Sequence, residues 1–226
     1  MYVFVSDLFV QDYVGGGELT TDAILKKTNF PIGTIHSKDV SKEIVDAHKN
    51  KHWIFGNFAS LTTEMILYCC KNLQYSVIEY DYKYCLYRLP EKHKQVEGHC
   101  SCEASPRGKM VSIFYAKAET LWFMSAAQMR FYFEKFPFLE SEKAKVLSSV
   151  FDDQTLEFIA SMETGNKNDT WLIQDSNSWV KGTEDAVAYA EKNNLKYELF
   201  SGLTYSETLN KFAKSKGFIS LPRSFD

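Results

Sequence analysis

Between Tyr2 and Tyr80, short apolar segments rich in aromatic and β-branched residues alternate with stretches that suit a helix, and this alternation most restricts the fold. Tyr2–Phe9, Ile32–His36, His52–Phe55 and Tyr75–Tyr80 read as strands. Between them, Glu18–Lys27, a segment through Val45 and Ala47 capped by Ser37 or Asp39, and Leu61–Leu73 read as helices. Leu61, Met65, Tyr68 and Cys69 fall at helical spacing. Strands joined through helices lie parallel in one sheet with helices on its faces, so the expected class is α/β. Ligands of such sheets bind beyond the carboxyl ends of the strands. That rule singles out the loops after Phe9, at Gly56-Asn57 and from Asp81.

Further along, Asp81–Gly108 interrupts the alternation with a tyrosine- and charge-rich stretch punctuated by Pro90 and Pro106. It reads as an irregular insertion, a mobile surface loop that can cover an acceptor site. Met110–Phe114, Leu121–Met124 and Lys145–Val150 read as strands, and Ala116–Thr120 as a helical turn. Ala126–Phe136 reads as a helix capped by Ser125 and stopped by Pro137. After a short helix over Gln154–Met162 comes the polar run Gly165–Asp169. A domain boundary is expected in this region, giving domains 1–153 and 154–226. In the second, Thr170–Gln174, Tyr197–Phe200 and Phe218–Leu221 read as strands, and Thr183–Asn193 and Tyr205–Lys214 as helices. This is half of a doubly wound domain, so either the true domain is small, or the second domain is incomplete and the chain is a truncated piece of a longer one.

A hydrophobic content of 45% with 15% aromatics suffices for a sizeable core. The net charge of −3, with no sustained basic block, gives no indication of nonspecific nucleic-acid binding. No apolar run reaches bilayer length and the start lacks the pattern of a signal peptide, so a reduced, cytoplasmic protein is expected, in the host cytoplasm if the chain is viral. His99, Cys100 and Cys102 tempt a zinc reading, but C-x-C has only His93 and Cys85 nearby and no recognisable second pair, so no metal site is expected.

Gly15, Gly16 and Gly17 stand between the first strand and the first helix. A glycine turn there lets a ligand approach the amides at the positive end of the helix. The run is not the spaced GxGxxG fingerprint, and Glu18 in the first turn opposes a tightly held diphosphate. A plain tight turn is the alternative.

In order along the chain, several segments resemble the GT-B fold of glycosyltransferases, specifically the retaining, nucleotide-sugar-using members, and are most similar to small glycosyltransferases of tailed phages. Gly15-Gly16-Gly17-Glu18 resembles the GGxE loop after their first strand. Trp122–Ser125 with Gln128, and Leu147–Asp152, resemble the end of their first domain. Trp179-Val180-Lys181-Gly182 resembles the donor-domain KG motif, and Phe218–Asp226 the strand and PSxxE-type loop that holds the donor. Two features depart from the pattern: the chain stops at Asp226, where the family continues with a second acid, and Asn177-Ser178 stands where many members carry an arginine.

The resemblance implies two Rossmann-like αβα domains and metal-independent transfer of a sugar from a nucleotide-sugar donor, without a further cofactor. The acceptor is an unidentified hydroxyl of a glycan, lipid, protein or modified DNA base, and the oligomeric state is left open. Donor contacts are implied for Gly15, Gly16, Gly17, Lys181, Gly182, Thr183 and Asp226, with Lys181 as the phosphate cation. The glycines then form one wall of an interdomain cleft, opposite Lys181 and Asp226. Asp81 is the candidate base or acceptor-orienting acid, Glu18 a second catalytic candidate, and Asp7 and Arg88 candidate acceptor contacts. A truncated or degenerate non-catalytic binding protein is the alternative, and weak or absent turnover is expected of these 226 residues alone.

Overall fold

The computed structural model describes residues 2–162 and 167–224. Two compact units divide the chain, Met1–Asp152 and Asp153–Phe225. The first unit runs β1 (Tyr2–Ser6), α1 (Gly16–Lys27), β2 (Ile32–His36), α2 (Lys42–His48), β3 (His52–Phe55), α3 (Thr63–Asn72) and β4 (Gln74–Glu79). It continues through α4 (Pro90–Glu97), α5 (Pro106–Lys117), β5 (Thr120–Phe123), α6 (Ala126–Lys135) and β6 (Ala144–Val146). The second unit holds α7 (Asp153–Ser161), β7 (Trp171–Gln174), α8 (Thr183–Lys192), β8 (Tyr197–Phe200), α9 (Tyr205–Lys214) and β9 (Gly217–Phe218).

Both units are α/β with parallel sheets. The first sheet has six strands in the order β2-β1-β3-β4-β5-β6, and the second has three in the order β8-β7-β9. The apolar run Val3-Phe4-Val5 is buried on both sides, as a central parallel strand requires. Phe55, Tyr75 and Phe114 of α5 pack on one face, with the Tyr75 and Phe114 rings stacked 4.5 Å apart. On the other face, Phe4 and Ile78 meet Ile24 and Leu25 of α1 together with Trp122 and Leu147. Tyr132 of α6 lies fully buried among Tyr82, Tyr84, Phe123 and Phe136. In the second unit, Ile173, Ala186, Ala190 and Ile219 form the core.

Side-chain caps set several helix starts. Thr62, Ser105 and Ser125 each accept a hydrogen bond from the backbone amide three residues on, and Thr204 forms a capping box with Glu207.

Several sequence expectations are corrected. Met110–Phe114 is helix, not strand. Ser105 caps and Pro106 opens α5, which supplies the crossover that parallel β4 and β5 need. Its β-forming residues are the buried stripe Val111, Phe114 and Tyr115 at helical spacing. Asp81–Gly108 is not an irregular loop, because it contains α4, a 3₁₀ turn at Cys102–Ala104 and the start of α5. The first strand ends at Ser6 rather than Phe9, since the Asp7 carboxylate turns to bond neighbouring loops. Ser37–Asp39 is a 3₁₀ turn and Ser41 caps α2. β6 stops at Val146, before Ser148 takes a left-handed φ of 63°. β9 spans only Gly217–Phe218. The run Gly165–Asp169 lies partly outside the described residues. Among the described residues, no helix is long and apolar enough to cross a membrane.

Candidate functional site

From β1 the chain moves to β2 on one side and then returns to β3 on the other, which makes the gap between the carboxyl ends of β1 and β3 a topological switch point. Asp7 sits there. Its carboxylate accepts hydrogen bonds from the Ser37 hydroxyl after β2 and from the amides of Ala59 (3.0 Å) and Ser60 (3.1 Å) after β3. Burial works against its charge, yet those three donors and the Arg88 guanidinium outweigh burial and hold its pKa below the usual value. One carboxylate thus ties together the loops of three adjacent strands.

Arg88 reaches the same point from beyond β4. One terminal nitrogen pairs with Asp81 at 2.5 Å and donates to the Asn57 Oδ1 at 2.9 Å, and the other lies 3.7 Å from Asp7. Below this cluster, the Lys83 amide and ammonium both donate to one oxygen of Glu79, at 3.1 and 3.3 Å. Lys83 also lies 3.4 Å from Asp81. Gln128, buried at the start of α6, accepts from the Met124 amide and donates to the Asp81 carbonyl, so it locks the end of β5 to the Asp81 turn. Asp7, Asp81 and Arg88, three residues singled out in the sequence, therefore share one partly exposed network.

The three glycines open α1. Gly15 is the N-cap of α1, Gly16 and Gly17 belong to its first turn, and none has a left-handed φ. A Cβ added to Gly17 would only touch Asn57 and Tyr80, at 3.6 Å. Tyr80 in turn shares a hydrogen bond with Thr21. Glu18 is buried beside Gly15 and lines a separate hollow with Asp12, Asp22 and His36.

The second unit repeats the pattern. β7 is central, β8 and β9 flank it, and the switch point falls between β7 and β9. There a cleft of about 370 Å³ is lined by Asp175–Trp179, Thr183, Glu184 and Arg223. Thr183 closes the loop by donating to the Gln174 carbonyl (2.8 Å) and accepting from the Ser176 amide (3.2 Å). Gly182 has a φ of 60°, and a Cβ there would lie 1.9 Å from the Leu221 carbonyl oxygen. The Arg223 amide donates to the Val180 carbonyl at 2.9 Å. Its guanidinium lies over the Trp179 ring and pairs with Asp185 (2.5 Å) and Glu184 (3.3 Å). The segments carrying Gly182 and Leu221-Pro222-Arg223 are thus brought together. Lys181 is exposed in a 3₁₀ turn and is not among the lining residues, so Arg223 is the cation of this cleft. Asp226 lies outside the described residues.

Sequence reading named Ser37 only as a helix-cap candidate and did not single out Glu79, Lys83 or Arg223. For Arg223 a signal existed, since it follows a strand and Leu221-Pro222 in the segment already matched to a donor loop. No protein-family model matches the chain, and no curated protein does either.

The Asp7 geometry gives a first prediction. Asp7→Asn removes the charge that two amides and a hydroxyl address, and it is expected to cost about 1–3 kcal/mol of stability at neutral pH. A folded pKa below the unfolded one means this contribution is present above the ordinary value of 3.8 and is lost as pH falls through the lower folded value. Urea unfolding of both proteins from neutral pH into that acid window should show the difference shrink. A constant difference would assign the cost to shape rather than charge.

Proposed function

We propose that the chain is a glycosyltransferase that takes a sugar from a nucleotide-sugar donor to a hydroxyl acceptor, working in the cytoplasm. The observation that carries this reading is the meeting of Asp7, Asp81 and Arg88 at the switch point of the first sheet, where α/β enzymes handle their ligands. In this reading Asp81 and Asp7 orient the acceptor hydroxyl, Asp81 receives its proton, and Arg88 fixes both acids. The second unit holds the donor. There the amides at the start of α8 and the Arg223 guanidinium face the developing negative charge of the leaving diphosphate, and Trp179 offers a ring face. Arg223 would exchange a carboxylate partner for phosphate on donor binding, which makes its pairs with Asp185 and Glu184 part of the binding equilibrium.

The test is calorimetric titration with a panel of nucleoside-diphosphate sugars, followed by assay of nucleoside diphosphate release with candidate acceptors. One donor is expected to bind saturably, and Arg223→Ala to weaken it by about 10–100-fold, the loss of a charged hydrogen bond. Arg88→Gln is expected to leave donor affinity unchanged and to lower release by a similar factor. If the folded protein binds no nucleotide sugar, the reading fails. Binding without release from any donor favours a non-catalytic binding protein.

A further inference from the structure

The turn after β4 and the two ends of α4 bring together side chains that the candidate site does not use. Cys85 lies in the turn, whose backbone is closed by the Cys85 amide on the Tyr82 carbonyl (2.8 Å) and the Arg88 amide on the Cys85 carbonyl (2.9 Å). His93 is on the first turn of α4, which Pro90 opens. Gly98, at a φ of 80°, ends that helix and turns the chain back so that Cys100 and Cys102 return to the same place. The sulfurs of Cys85, Cys100 and Cys102 and a ring nitrogen of His93 all lie within 4.8 Å of one another.

The separations discriminate between chemistries. Cys85 and Cys100 sulfurs are 3.8 Å apart, and His93 Nδ1 is 3.4 Å from the Cys85 sulfur and 3.3 Å from that of Cys102. A tetrahedral zinc ion, with Zn–S of about 2.3 Å and Zn–N of about 2.0–2.1 Å, needs S···S edges of about 3.8 Å and S···N edges of about 3.5 Å. A disulfide needs sulfurs about 2.05 Å apart and would leave the third cysteine and the histidine without a role. Backbone amides face the sulfurs as thiolate ligands require. Leu86 donates to Cys102 at 3.4 Å, the amides of Tyr87 and Leu89 address Cys85, and that of Cys102 addresses Cys100. The set is also braced from behind. Ser105 donates to the Cys102 carbonyl at 2.6 Å, and a Cβ on Gly108 would lie 1.9 Å from that oxygen, so the Cys102 turn is pressed onto the start of α5.

We propose that Cys85, His93, Cys100 and Cys102 bind one structural Zn²⁺. Three thiolates and an imidazole are a soft, closed donor set that selects zinc over hard cations and leaves no position for substrate. The ion cross-links the segment between β4 and α5, and Arg88 stands within that segment, three residues beyond Cys85. Zinc therefore holds the arginine against Asp81, Asn57 and Asp7, whatever reaction this network serves.

The full chain, expressed with zinc in the medium and purified under reducing conditions, should carry close to one zinc per molecule by elemental analysis. Chelation should remove it and expose the thiols of Cys85, Cys100 and Cys102 to alkylation, read site by site by mass spectrometry. Added Co²⁺ should give thiolate charge-transfer absorption and tetrahedral visible bands. Cys100→Ser and His93→Ala should each lower zinc content at least several-fold, while Cys69→Ser leaves it unchanged. If those variants fail to fold, the cobalt spectrum and alkylation pattern of the wild-type chain decide alone. Folded wild-type protein with negligible zinc and no thiolate–cobalt absorption, or a Cys85–Cys100 disulfide in reduced preparations, would overturn the proposal.

Discussion

Lys83→Met is expected to cost about 3–5 kcal/mol of unfolding free energy at about pH 8.5, where the Glu79 carboxyl ionises in the folded protein and the substitution leaves its buried charge without a partner. The Lys83 side chain is fully buried, and that of Glu79 is 2% exposed. The loss is expected to grow with pH. Burial pushes the Glu79 carboxyl up to about 8, the nearby Asp81 charge pushes the same way, and the Lys83 charge pulls back only in part. A folded value above the unfolded one means the folded protein holds a proton that the unfolded chain releases. The stability tied to that proton is complete below the unfolded value of 4.5 and is lost as pH rises through the folded value. Without Lys83 the carboxylate has no compensating charge, so the deficit at about pH 8.5 should exceed that at about pH 5. Glu79→Gln should flatten the wild-type pH dependence between those limits. Combining it with Lys83→Met should cost less than Lys83→Met alone, because no charge is then left unpaired. Urea unfolding of the four proteins measures this, and equal Lys83→Met costs at both pH values would contradict it. The pair also matters beyond stability: the Lys83 amide and ammonium anchor the turn that presents Asp81 and Arg88.

That buried pair shows where sequence reading stops. The parallel order of the sheet was legible because apolar runs such as Val3-Phe4-Val5 and the intervening helical stretches are local signals. The carboxyl-edge rule then pointed to the loops after Phe9, at Gly56-Asn57 and from Asp81, and it reached Asp7 only because the strand ends at Ser6. Glu79 and Lys83 carried no such signal, because a charged residue four positions after another looks like a solvated surface pair until the fold buries both. Misreading Met110–Phe114 had a similar origin. Val111, Phe114 and Tyr115 favour strands by propensity, while tertiary context and the Ser105-Pro106 start dictate a helix. The group of Cys85, His93, Cys100 and Cys102 was visible in the sequence residue by residue but set aside for a topological reason: Cys85 and His93 match no familiar spacing to Cys100 and Cys102, and the turn at Gly98 closes the set. In the second unit, Gly182 was legible as a loop glycine and Lys181 as a cation, but which basic residue enters the cleft depended on how Leu221–Arg223 packs.

That packing makes Gly182→Ala the second large effect. At a φ of 60° an L residue costs about 1–2 kcal/mol. The added Cβ would also lie 1.9 Å from a backbone oxygen, that of Leu221, and no side-chain rotation relieves such an overlap. Forcing the two loops apart adds about 1–3 kcal/mol, so the second unit should lose on the order of 3 kcal/mol or more. Gly202→Ala isolates the first contribution. Gly202 has a φ of 67° and nothing within 4 Å of its added Cβ, so only the backbone cost remains. Amide hydrogen exchange is the suitable readout, because the Arg223 amide reports its bond to Val180 and the Ala186 amide reports the start of α8 through its bond to Gly182. In Gly182→Ala both should exchange faster by at least tenfold, while in Gly202→Ala they should change much less. Donor binding should follow the same order, since separating the loops withdraws Arg223 from Trp179 and from the cleft. Equal effects of the two substitutions would mean that the Leu221 contact carries no energy. The cleft would then be held by the hydrogen bonds of its loops, those of Thr183 to Gln174 and Ser176 and of the Arg223 amide to Val180, and Thr183→Val rather than Gly182→Ala would be the change that opens it.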